Sequence, residues 1–173
     1  MSESPGFEAI AGRIIENPAL VIDRWEEMIG EEPWSHLERD ERIDALPRVV
    51  IRLVEVTLKE PYDPAEYRTD VHAAAVHGEH RREQGVDEDL IYREYHYLRQ
   101  AFWEYFEEVS GSRREMTEAI QRIDSAITLA TMASLYGFHQ QEMENEDAYR
   151  RKIESLADDS PLTPDHGGSL ETP

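Results

Sequence analysis

Between Ile91 and Val109 the apolar residues Ile91, Tyr95, Leu98, Phe102, Tyr105 and Val109 recur at steps of three and four. That spacing sets all six on one side of an α-helix. A stripe of this size must be covered by other elements, so its partners decide the fold. The only other strongly apolar run is Val49, Val50, Leu53, Val54, Val56 and Leu58, where β-branched residues make a strand a competitor. A single strand would leave its backbone groups unpaired, and no second segment offers to pair with it. Leu46, Val50, Leu53, Val54 and Leu58 also follow the helical template. The chain is therefore expected to be all-α.

The punctuation around the stripe agrees. Gly85 follows HGEHRREQ as a helix stop, since glycine enters the left-handed region without a Cβ clash. Asp87, Glu88 and Asp89 bring negative charge to a helix start, where unpaired N–H groups favour it. The spacing predicts a short helix over Phe7 to Glu16, then a second carrying Leu20, Val21, Trp25, Met28 and Ile29, opened by Asn17-Pro18 and closed by Gly30. Glu31 to Arg39 is expected to be a loop whose Trp34 packs down as a lid, and Asp44 with Pro47 opens the next helix. After the break EPYDP, a helix from about Asp63 to Gln84 presents Tyr67, Val71, Ala74, Ala75 and Gly78, mostly small residues that permit close backbone approach. Ser112 caps a long last helix with Met116, Ile120, Ile123, Ile127, Ala130, Ser134 and Phe138 on one face. Its charged extension, about Glu142 to Leu156, is expected to be an exposed, partly frayed helix, with a partner helix in a dimer as the alternative. These elements form one helical domain over residues 1–157, and 158–173 has the composition of a disordered tail.

Composition closes several chemistries. There is no cysteine, hence no disulfide, thiolate nucleophile or sulfur-bound metal. A net charge of -20 disfavours nucleic acid, and no basic stripe counters it. No apolar run is long enough for a spanning helix and the N-terminus lacks a signal-peptide pattern, so a cytoplasmic location without membrane insertion is expected. Phosphate loops, HExxH and a G-x-S-x-G elbow are absent, and no histidine has a glutamate three positions upstream, as a di-iron bundle would need. His77 and His80 stand three apart on a helix, but His72 and His77 are rotated by about 140° about its axis, so no metal site is expected.

Polar residues that intrude on apolar stripes are more telling. Glu94 borders the stripe of the aromatic helix, Asp124 lies among Ile120, Ile127 and Thr131, and His77 and Arg81 share a helix side. A buried carboxylate needs a partner, so Arg81 is expected to serve one of the two acids in a helix-to-helix clamp. Tyr92, His96 and Trp103 fall off the main stripe, near Arg99, and suggest a helix-packing interface.

The spacing His77, Arg81, Gly85, Glu94-Tyr95, Leu98-Arg99 and Ile123-Asp124-Ala126 resembles the RsbRD N-terminal domain family, over roughly Leu20 to Phe138 and most specifically at HGEHRREQG and REYHYLR. That family includes sensory N-terminal domains of RsbR-type stressosome proteins, and related domains precede some sensor histidine kinases. The resemblance implies a globin-like bundle of about six helices with a long C-terminal one, usually without haem, that dimerises and signals to an output module. It also implies a polar set of His77, Arg81, Glu94, Tyr95, Arg99 and Asp124. The residues after the last helix are too few for such a module, so a separately encoded sensor or an excised fragment is expected.

The reading is a non-enzymatic sensory or protein-interaction domain of a bacterial stress or two-component system, a homodimer with a signalling partner such as a kinase or stressosome component. The alternative is a haem- or small-ligand-binding sensor, with His77, His96 or His139 as axial ligand. An enzyme would have only Glu94, His77 and Asp124 to work with. No cofactor is expected.

Overall fold

The computed structural model describes residues 6–30, 34–59, 71–140, 151 and 155. Among them the chain forms seven helical segments and no strand: α1 (Phe7–Glu16), α2 (Ala19–Ile29), α3 (Arg39–Ile43), α4 (Leu46–Thr57), α5 (His72–Glu83), α6 (Glu88–Val109) and α7 (Arg113–Phe138). The expected beginning of α5 near Asp63, the extension beyond Gln140 apart from residues 151 and 155, and the tail over 158–173 lie outside the described residues.

The first two helices arise where the apolar spacing places them. Ile10, Ala11 and Ile14 of α1 and Val21, Ile22, Trp25 and Ile29 of α2 are buried. Gly30, at φ 65°, ends α2 in a conformation that a Cβ would disfavour. Trp34 is buried edge-on against Trp25, with ring centroids 6.4 Å apart. The apolar run beginning at Leu46 is a helix, as its spacing requires, with Pro47 in the first turn where its missing N–H costs nothing.

One element was not anticipated. The five-residue α3 rests on a reciprocal capping arrangement, in which Glu38 and Glu41 each take the other's backbone N–H. Glutamate is an unusual cap residue, and this hides the helix from a sequence search for Ser, Thr, Asp or Asn.

Between α5 and α6 the chain turns at Gly85, φ 72°. The Val86 N–H reaches the Arg81 carbonyl and the Gly85 N–H that of Arg82, each at 3.0 Å, which satisfies two helix-end carbonyls while Val86 is buried beneath them. At the other end of α6, Ser112 accepts the Glu115 N–H and starts α7.

The core lies between these helices. α2 packs on α6, α6 on α7, and α1 on α4, while α5 lies most extensively against α7. The α5–α7 crossing is very close: a Cβ on Gly78 would stand 1.8 Å from the Ser134 carbonyl oxygen, and one on Gly137 would stand 1.9 Å from that of Ala75. The small residues of α5 thus bring backbone against backbone. The buried face of α7 is accordingly turned towards Ala119, Ala126, Ala133 and Gly137, whereas Met116, Ile120 and Phe138 are only partly covered.

Candidate functional site

The α5–α6 corner carries the most concentrated buried polarity among the described residues. His77 and Arg81 are one turn apart on α5, and the tight turn at Gly85 folds α6 back so that Glu94 faces both. His77 Nε2 lies 2.8 Å from Glu94 Oε2. Arg81 Nε donates to both carboxylate oxygens, at 3.2 and 3.1 Å, and a terminal nitrogen donates to Oε1 at 2.5 Å. All three residues are fully buried. The Glu94 backbone takes part as well, its carbonyl accepting from Trp25 Nε1 at 3.0 Å.

Burial alone would push the Glu94 carboxyl up. The charges of His77 and Arg81 and their hydrogen bonds outweigh that effect and hold it at about 2, below its ordinary 4.5. Burial likewise works against the Arg81 charge, but the Glu94 carboxylate outweighs it and raises the Arg81 pKa. An ionised carboxylate only accepts, so the His77 Nε2 in this bond carries a hydrogen. His77 Nδ1 is buried without a hydrogen-bond partner.

Tyr95 continues the polar line into the α5–α7 crossing. Ser134 Oγ donates to the Ala74 carbonyl at 2.6 Å, so the Tyr95 hydroxyl, 2.7 Å away, donates to Ser134. Burial of the phenol raises its pKa. The Tyr95 ring also stands edge-on to His77, centroids 6.0 Å apart.

The polar set expected from the family motif falls in two places. His77, Arg81, Glu94 and Tyr95 meet in the core. Arg99 and Asp124 meet on the outer side of α6 and α7, with Arg99 Nε 3.2 Å from Asp124 Oδ1. Trp103 joins them, its Nε1 donating to the same oxygen at 3.0 Å, and Arg99 also donates to Thr128 at 3.3 Å. Trp103–Asp124, Arg99–Thr128 and the His139–Glu88 pair at 3.2 Å follow one antiparallel register of α6 on α7. Asp124 lies among apolar residues in sequence, but its direction on the helix takes it to the rim.

Tyr92, His96, Arg99 and Trp103 are spaced by four, three and four residues along the outer edge of α6, Arg99 half-buried and the other three exposed. Tyr92 is 53% exposed and Trp103 39%, and they are the large exposed hydrophobic residues of the described chain. His96 is exposed beside Tyr97.

Over residues 18–160 the chain matches the family model described as the RsbT co-antagonist protein rsbRD N-terminal domain. It belongs to that family. No curated protein and no solved structure matches it. The RsbRD N-terminal domains are a sensory family of the stressosome context, and in this member no described helix is long and apolar enough to cross a membrane.

Spacing led to Arg81 as the partner of either Glu94 or Asp124 without choosing between them, and gave no sign of the Trp25 donor, which lies 69 residues before Glu94. A buried indole N–H needs an acceptor, and that requirement was the only available signal. Ser134 was legible as a polar residue on an apolar face, though its role as a link between Tyr95 and Ala74 depends on the helix crossing.

Proposed function

We propose that this RsbRD N-terminal domain is a non-enzymatic, cytoplasmic sensory or protein-interaction module that dimerises through the outer face of α6 and α7 and signals to a kinase or stressosome component. The observation that carries the reading is the exposed stripe Tyr92–His96–Arg99–Trp103. A chain of net charge -20 repels its own copy unless the contact patch is locally balanced. Here Arg99 offsets Asp124, and aromatic rings lie at both ends of the stripe. A surface holding both charge signs and two aromatics can complement itself across a two-fold axis.

The buried clamp supports a structural role. Both Glu94 oxygens are occupied by donors, and a cavity of about 20 Å³ between α4, α5 and α7 is lined by Val49, Leu53, Val71, Ala74 and Ala130 rather than by the clamp. The three candidate axial histidines, His77, His96 and His139, do not fit a haem. An axial nitrogen must face an apolar slot, whereas His77 Nε2 is committed to Glu94, His96 is exposed, and His139 is paired with Glu88 at the surface.

Sedimentation equilibrium tests the interface. The unmodified chain is expected to be dimeric and Trp103→Glu monomeric, with the helical circular dichroism unchanged. A Trp103→Glu dimer as tight as the parent removes this face from consideration.

A further inference from the structure

We infer that α3 is a hinged latch that opens as a unit while the rest of the bundle stays folded, with Arg81 as its catch. The latch does not rest on the dimer reading. Three observations bear on it.

First, α3 fully buries none of its five side chains, and its apolar contact with the core is the single, partly covered Ile43. Every other described helix is anchored by an apolar face, and apolar burial is what makes local opening expensive.

Second, its tethers are polar and gather at its C-terminal end. Arg81 donates to the Glu41 carbonyl at 3.0 Å and to the Arg42 carbonyl, while Gln84 Nε2 donates to the Glu41 carbonyl at 2.9 Å. These are helix-end carbonyls that α3 cannot satisfy internally. Gln84 in turn accepts from Arg81 at 2.6 Å, which aligns the two donors. Outside this knot α3 is held by ion pairs of Arg39 and Arg42 with Glu26, at 2.6 and 3.8 Å. Surface pairs of this kind hold weakly.

Third, the residue after α3 is strained. Asp44 has φ 35° and ψ -113°, which a residue with a Cβ rarely adopts, and its side chain contacts His80 Nδ1 at 2.9 Å. Opening would relax that backbone, and such positions serve as hinges. On the other side, buried Trp34 and Leu37 keep the preceding segment on the core. The same motion would free two carbonyls and expose Arg81, giving water a route to the otherwise dry Glu94–His77 pair.

Native-state hydrogen exchange, read by mass spectrometry on peptides covering residues 38–46, tests the latch. Amides within α3 are expected to exchange at least about a hundredfold faster than those in the middle of α7, through an opening insensitive to low denaturant. Gln84→Ala should quicken exchange about fivefold, confined to these peptides. The latch is overturned if α3 amides exchange only with those of α7, or if Gln84→Ala accelerates all helices equally or none.

Discussion

Arg81–Glu94 and Arg99–Asp124 are the same chemical pair in opposite surroundings. In the first, both side chains are 0–1% exposed and the carboxylate is saturated by donors. In the second, the side chains are 28% and 35% exposed, and the carboxylate is shared with a tryptophan that itself faces solvent. Water rescues either partner of the outer pair when the other is lost. Nothing rescues the inner one. The buried pair is therefore suited to holding α5 and α6 in one arrangement, and the rim pair to being rearranged by a partner.

The largest effect should come from Arg81→Ala. Leaving Glu94 and His77 buried without the guanidinium is expected to lower the unfolding free energy by about 3–5 kcal/mol in chemical denaturation. An unchanged midpoint and slope would erase the distinction between the two pairs.

Acid offers a second way to separate them. The folded pKa of Glu94 is depressed, so its contribution is complete above the ordinary 4.5 and disappears as the pH falls towards about 2. The stability difference between the parent and Glu94→Gln should therefore shrink by about 3 kcal/mol between pH 5 and 2. A difference that stays flat over this window would mean that Glu94 is not held as a carboxylate by its neighbours.

Smaller effects calibrate the contrast. Tyr95→Phe removes one donor from Ser134 while leaving the Ser134–Ala74 bond, and should cost about 1 kcal/mol in the same denaturation experiment. Arg99→Ala should cost less than about 1 kcal/mol. If Arg99→Ala proved as damaging as Arg81→Ala, exposure would be a poor guide to the worth of these pairs.

How much of this was legible beforehand depended on the range of the interaction. Periodicity and glycine placement were enough for α1, α2, α4, α6 and α7, because those signals are local to each helix. The Arg81–Glu94 contact was also within reach, since one tight turn joins the helices that carry it. The division of the polar set was not. Asp124 meets Arg99 of α6 at the rim through the rotation of α7, and that rotation is imposed by Gly78 and Gly137 at the crossing with α5, which apolar spacing cannot report. α3 escaped for a different reason, since Ile43 alone gives it no periodic apolar face.

The α5–α7 crossing has a mechanical consequence. Side chains between two helices act as padding that can change rotamer and absorb a shift, but at Gly78–Ser134 and Ala75–Gly137 no padding exists. The two helices are joined like bars bolted at adjacent points, so neither can slide along the other without first lifting away. A displacement imposed on α5 at the His77–Arg81 end must reappear at the far end of α7 as a tilt of the whole rod, undiminished by the core through which it passes.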